Sequence, residues 1–290
     1  MLQKIDFIAT KYALKPLMRG HCFSQKEFIT IRILCGNHGL TAVRSAIKIK
    51  NPALEEEKGY CVYISKDKRL AQKCANEDPE YAGSGDLSGL KYFSKSLGYP
   101  ECCIDSYINL GLGNLSGEKK KEVIFKKITR NNKPFLLNNF LYGMGMSLSF
   151  YEPCSYGCKY ALSYNKKIME AVRKEDPLFA ARIREYLQLP MLIWLNVSEN
   201  SSANDFFHNR IQLLFKGSLK RQNAIYYEKA ALYRKFPRCN PTFDEGQLEE
   251  ASLGNICKVY KDRVMIFDRN TAVKEIKVDN KYHAVIVKFN

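Results

Sequence analysis

Two short stretches limit what this chain can become. The first, SLGYPECCIDSY, places adjacent Cys102 and Cys103 just behind Pro100. The second, FYEPCSYGCKYAL, places Cys154 directly after Pro153, with Cys158 at the i+4 position. Proline suits the first turn of a helix, because it lacks an N–H that would go unused there and its φ is already set. Glu101 is favourable beside the positive end of the same helix. These signals predict a helix over 101–110 with Cys102 and Cys103 in its first turn. In the second stretch Ser155 is the expected N-cap of a helix over 156–174. Cys158 then falls near the N3 position and Cys154 just outside, so one turn would bring the two thiols to the same side.

A helix N-terminus offers free N–H groups and a partial positive charge, and both lower a thiol pKa. The thiolate is the form that ligates metal and attacks electrophiles. Two such helix ends facing each other would present Cys102, Cys103, Cys154 and Cys158 to one centre. Iron–sulfur clusters and zinc both use four-cysteine sets. The expected function is a cysteine-ligated metal protein acting in redox or sulfur-transfer chemistry. An iron–sulfur cluster is the first cofactor expected, and zinc is the alternative. Cys154 and Cys158 lead the ligand set. Neighbouring side chains diverge by about 100° on a helix, so one of Cys102 and Cys103 is expected to ligate while the other packs. A three-cysteine iron–sulfur site, or a fourth ligand from elsewhere, follows from that expectation. The same residues also allow a metal-free thiol enzyme, or plain core packing in which cysteine acts as a small apolar group.

LGYPECCIDSY followed by FYEPCSYGCKYAL resembles an uncharacterised prokaryotic family marked by L-G-Y-P-x-C-C-x-x-x-[FY] and a later [HE]-P-C-S-x-x-C. The stretch from about 60 to 170 carries the likeness, with YISKDKRLAQK upstream of the first motif. The resemblance supplies a map of motif positions and implies no activity. It implies a histidine in relatives at the position Glu152 holds here. Were that histidine a ligand, the site in this chain would differ.

The 290 residues include ten cysteines. In a secreted chain these would suggest disulfides; in a cytosolic one, clustered cysteines point first to metal or thiol chemistry. The N-terminal MLQKIDFIATKYALKPLMRG has no continuous apolar stretch and no small-residue cleavage site, so no signal peptide is expected. No run approaches the roughly 20 apolar residues of a membrane span. A cytoplasmic location is the default expectation. The net charge of +16 favours an acidic partner or RNA, although the lysines are scattered rather than blocked.

The fold class expected is α+β. It comprises an N-terminal βα portion over 1–87, a mostly helical cysteine-motif domain over 88–238 and a small antiparallel β meander over 239–290. Residues 4–18 can form an amphipathic helix. Ser24 and Glu27 make a capping box before FITIRILC, which is expected to end at Gly36. LTAVRSAIKI is helix or strand; as a helix it would loosely imitate a helix-turn-helix around GNHG. GYCVYIS alternates as a strand, and KDKRLAQKCANE follows it as a helix. Further helices are expected over 88–97, 118–129, 135–149, 177–188, 204–216 and 219–235. The run LNNFLYGMGMSLSF within 135–149 is apolar nearly all round, as a central buried helix would be. ICKVY, RVMIFD, AVKEIKV and HAVIVKF alternate as meander strands.

Other candidates are weaker. Tyr156, Tyr160 and Tyr164 are spaced four apart and would share a helix face; Tyr156 and Tyr160 are the expected substrate contacts. Lys220, Arg221, Arg234 and Lys235 interleave with tyrosines, a pattern that can bind single-stranded RNA. They carry the alternative of a basic nucleic-acid-binding module with structural cysteines. His208 is the best placed general base, and His283 falls in an apparent edge strand. GSG at 83–85 lacks the preceding strand and the following Lys-Ser or Lys-Thr of a phosphate loop. Whether the chain is an enzyme is left open by these residues.

Overall fold

Strand β1 (Leu17–Cys22) and the last residues of strand β3 (Leu54–Ser65) alternate their side chains between two faces, and both faces bury apolar residues. Leu17, Cys61 and Tyr63 bury into one cluster with Ala71, Cys74, Phe93 and Leu97. Met18, Val62 and Ile64 bury into another with Cys22, Ile31, Cys35 and Leu40. A sheet with two apolar faces needs cover on both sides. Helix α2 (Gln25–Gly36) supplies Ile31 and Cys35 on one side; α3 (Lys68–Asn76) and α4 (Leu87–Ser96) cover the other. Strand β2 (Thr41–Asn51) completes an antiparallel sheet in the order β1-β3-β2.

The computed structural model describes residues 3–51, 54–77, 87–110, 123, 126–127, 133–141, 145–195, 210–221, 224–233, 253–260, 263–277 and 283–290. The chain divides into two compact units. The first unit takes in Met1–Asn109, Asn139–Cys154 and Cys158–Ile183, and the second Leu110–Asn138, Ser155–Gly157 and Arg184–Asn290. Besides the three-stranded sheet, the first unit holds α1 (Lys4–Lys11), α5 (Glu101–Asn109) and α6 (Lys159–Glu175). Helix α7 (Pro177–Leu187) runs across the boundary between the two stretches of chain. The second unit is built on a seven-stranded antiparallel sheet in the order β10-β4-β5-β6-β7-β8-β9. Its strands are β4 (Met191–Leu195), β5 (Arg210–Arg221), β6 (Ala224–Tyr233), β7 (Ile256–Val259), β8 (Arg263–Asp268), β9 (Thr271–Lys277) and β10 (His283–Val287).

The architecture is α+β, and several expected elements differ from it in detail. Residues 4–18 split into α1 and the start of β1. The capping box is formed: the Glu27 N–H donates to Ser24 Oγ at 3.1 Å, and the Phe23 N–H donates to Glu27 Oε2 at 2.6 Å. Gly36 stays inside α2, and the turn is made at Gly39, with φ +66°. LTAVRSAIKI is strand β2, so no helix-turn-helix forms there. The expected helices over 204–216 and 219–235 are β5 and β6 wherever their residues are described, because the segments pair with β4 and β7. The meander of β7, β8 and β9 is as expected, but β10 pairs with β4 at the opposite edge. The helix over 118–129 lies almost wholly outside the described residues.

The buried helix expected over 135–149 is a single 3₁₀ turn, Phe135–Leu137, followed by irregular backbone in its described part. Its polar residues supply the reason, since Asn and Ser side chains compete with helical backbone hydrogen bonds. In the first unit Asn139 Nδ2 donates to Glu152 Oε2 at 2.7 Å, and Ser147 Oγ donates to the Ser149 carbonyl at 2.7 Å. In the second, Asn138 Nδ2 donates to the Leu187 carbonyl at 3.0 Å. Asn138, Asn139, Ser147 and Ser149 are all buried, so these bonds satisfy groups that water cannot reach.

Gly98 ends α4 and aims the chain into the first cysteine motif. Its φ is +80°, with the Tyr99 N–H bonded back to the Ser94 carbonyl at 3.2 Å and the Gly98 N–H to Lys95 at 2.9 Å. A Cβ there would lie 3.0 Å from Tyr164 Oη and 3.1 Å from Pro16 Cδ. Gly98→Ala is expected to destabilise the protein by about 1–2 kcal/mol from the left-handed conformation alone. Urea unfolding checks this, and an unchanged midpoint would count against it.

Candidate metal centre

Helix α5 begins where the sequence places it. The Pro100 carbonyl accepts from the N–H groups of Cys103 at 2.9 Å and Ile104 at 3.1 Å, so Pro100 is the residue that opens the helix. Cys102 and Cys103 are therefore in its first turn. Helix α4 sets the direction: Lys91 pairs with Asp105 at 2.7 Å and Lys95 with Glu101 at 2.7 Å. Lys95 beside Glu101 holds that carboxyl below its ordinary range.

The second helix begins later than expected. Cys158 itself is the N-cap of α6, its Sγ accepting from the Ala161 N–H at 3.5 Å, whereas the sequence points to Ser155 for that role. Sulfur takes the place that an N-cap oxygen usually holds. Ser155, Tyr156 and Gly157 lie ahead of the helix.

The chain that leads into these turns ties them together. Tyr99 Oη donates to the Phe150 carbonyl at 3.2 Å, and the Tyr99 and Tyr151 rings sit 4.8 Å apart. The Cys154 N–H donates to Cys103 Sγ at 3.4 Å. Behind them Lys15 and Asp6 form an ion pair at 2.6 Å, with side chains 3% and 8% exposed. The Lys15 ammonium also lies 4.8 Å from the Phe150 ring centre and 5.9 Å from that of Tyr99.

The result is a group of four cysteines, Cys102, Cys103, Cys154 and Cys158, whose sulfurs all lie within 4.8 Å of one another and which can hold a metal ion. The Sγ of Cys158 is 3.6 Å from that of Cys102 and 3.9 Å from that of Cys103; the latter two are 3.9 Å apart. Cys103 and Cys158 are buried, while Cys102 and Cys154 are partly exposed. Both neighbours, Cys102 and Cys103, thus join the group, although a regular helix would splay them. The first turn, entered from Pro100, leaves both thiols on the side of Cys158.

The thiols do not all favour ionisation, as helix position alone would suggest. Burial, then the hydrogen bond with Cys158, pushes Cys102 up to about 11. Burial above all raises Cys103 as well. Cys158 goes the other way. Burial acts against its thiolate, but the Ala161 N–H and the thiols of Cys154, Cys102 and Cys103 together outweigh it. One sulfur therefore collects the hydrogen bonds of the rest, and further ionisation meets like-charge repulsion until a cation is present.

The remaining sequence candidates stand elsewhere. Tyr156 is buried in the second unit, its ring 5.2 Å from that of Phe289, while Tyr160 on α6 is 73% exposed. With Tyr156 ahead of the helix, the expected shared face of Tyr156, Tyr160 and Tyr164 is not formed. Lys220 and Arg221 lie on β5, and His283 on β10; Arg234, Lys235 and His208 fall outside the described residues. Glu152 accepts a hydrogen bond from Asn139 and is not in the metal-holding group. Cys35 and Cys61 are fully buried in the first unit's core, as their apolar contexts suggest. Lys15, Asn139 and the Ala161 N–H were not singled out by motif; the Asn-Asn pair interrupting an apolar run was the one available signal. Among the described residues no helix is long and apolar enough to cross a membrane. No protein-family model, curated protein or solved structure matches this chain.

Proposed function

We propose that the protein is a cysteine-ligated metal protein whose centre is held by Cys102, Cys103, Cys154 and Cys158. The observation that carries this reading is the convergence of four thiols, drawn from two helix starts far apart in the chain, within 4.8 Å of one another. Soft thiolate sets of this kind serve zinc, iron and iron–sulfur centres. Two kinds of centre use this donor set: an iron–sulfur cluster in redox or sulfur-transfer chemistry, as expected from the sequence, and a single zinc or iron ion. The resemblance of the two cysteine motifs to the L-G-Y-P-x-C-C family belongs to the same proposal.

The test is a metal competition titration of reduced, metal-stripped protein at several pH values. Because burial holds Cys102 near 11 and raises Cys103, both thiols are protonated at neutral pH and must release their protons to bind. With at least two protons released per ion, affinity is expected to fall about 10⁴-fold between pH 8 and pH 6. An affinity independent of pH would remove these two thiols from the ligand set.

A second reading has one observation in its favour. The Ala161 N–H that caps Cys158 Sγ at 3.5 Å would also steady a thiolate acting as a metal-free nucleophile. It requires Cys158 to be alkylated faster than every other cysteine in protein that carries no metal as purified.

A further inference from the structure

We infer that the centre is a single tetrahedral divalent ion bound by all four thiolates, and not a polynuclear cluster. The inference rests on the metal-protein reading above and names the class of ligand the site takes. A metal–sulfur bond of about 2.3 Å makes the edge of a tetrahedral tetrathiolate about 3.8 Å. The triangle of Cys102, Cys103 and Cys158 has edges of 3.6, 3.9 and 3.9 Å. One face of that tetrahedron is thus already at its final size. The separations involving Cys154 stay within 4.8 Å, so the fourth thiolate needs to close by only about 1 Å to complete the set.

Clusters do not fit this triangle. In a four-iron cube each thiolate caps a different corner and points outward. The sulfurs are then separated by the width of the cube and the reach of two further bonds. A two-iron cluster divides its four thiolates into two pairs on separate irons. Any such division places at least two members of the Cys102, Cys103 and Cys158 triangle on different irons. Yet all three edges are alike, and none has the length that a bridge between irons imposes. The Cys154 N–H, bonded to Cys103 Sγ at 3.4 Å, holds the fourth residue against the same triangle.

A site with all four positions filled by protein has no open position for a substrate, the hallmark of structural ions rather than catalytic ones. Zinc and a lone iron share this geometry, and metal analysis separates them. The protein is purified without oxygen, and zinc, iron and acid-labile sulfide are measured per chain. The stripped, reduced protein is then titrated with cobalt(II), whose tetrahedral tetrathiolate has a distinctive visible spectrum. One zinc, or one iron without sulfide, together with a cobalt endpoint of one per chain, is the expected result. Iron accompanied by comparable acid-labile sulfide overturns the single-ion inference while keeping the metal-protein reading. No metal and no cobalt uptake overturns both. In addition, Cys102→Ser and Cys103→Ser are each expected to weaken cobalt binding about 100-fold. Unchanged binding in either variant overturns the four-thiolate assignment.

Discussion

Cys158→Ser is expected to weaken metal binding while keeping the fold. Structural zinc sites contribute about 10–16 kcal/mol of binding free energy at neutral pH, so one ligand in four accounts for about 3 kcal/mol. That corresponds to about a 100-fold loss of affinity. The protein retains two buried clusters around β1, β2 and β3 that do not depend on the thiols, so its far-ultraviolet spectrum should be unchanged. Its melting temperature should fall by about 5–10 °C, toward that of metal-stripped wild type. A chelator should lower the wild type by more than it lowers the variant. The choice of serine matters, because Cys158 also caps α6 through the Ala161 N–H. Serine keeps an acceptor at the cap; Cys158→Ala removes cap and ligand together and should cost about 1 kcal/mol more. A variant that melts with the holo wild type would show that Cys158 holds no metal.

The second large effect lies behind the site. Lys15 and Asp6 are paired at 2.6 Å and almost fully enclosed, with Lys15 also facing the rings of Phe150 and Tyr99. Removing one partner leaves the other charge buried without compensation. Lys15→Met is therefore expected to cost about 3–5 kcal/mol, whereas Lys15→Met combined with Asp6→Leu should return to within about 1 kcal/mol of the wild type. The deficit has a pH signature. Burial, only partly offset by Lys15, already holds the Asp6 pKa above its ordinary 3.8. Without Lys15 it rises further. A carboxyl with a raised folded pKa carries no penalty below its unfolded value near 4, and a growing one as pH climbs past it. The loss in Lys15→Met, read from urea unfolding, should be full at neutral pH and shrink toward pH 4. A deficit equal at both values would point to lost packing rather than to the uncompensated buried charge.

The parts of this structure that could be read from the sequence are those fixed by local chemistry. The Ser24–Glu27 box, the Pro100 helix start and the alternation of GYCVYIS each depend on a few consecutive residues. The gathering of four thiols was legible for the same reason, since both helix starts carry their own signals. What could not be read depends on distant partners. RIQLLFKGSLKR and AIYYEKAALY contain Ala, Lys, Glu and Leu enough for helices, and become β5 and β6 only because each finds a strand to pair with. The run after Phe135 is apolar enough for a buried helix, but the side chains of Asn138, Asn139, Ser147 and Ser149 make hydrogen bonds to other parts of the chain. The side to which adjacent Cys102 and Cys103 both turn depends on Cys158, contributed by another helix. Lys15 gave no signal either, because its partner Asp6 sits across a turn of irregular backbone.

The chain leaves the first unit after Asn109 and returns to it at Asn139. Cys102 and Cys103 stand before that departure, and Cys154 and Cys158 after the return. A centre joining them works like a drawstring, fixing the two ends of an excursion whatever its contents. Cys103 and Cys154 are 51 positions apart, and closing a loop of that size has an entropic cost of about 3.5 kcal/mol. The cost grows only logarithmically, by about 0.6 kcal/mol for each doubling of length. Lengthening that excursion therefore adds little to the entropic cost of closing it, provided the thiols at either end stay in place.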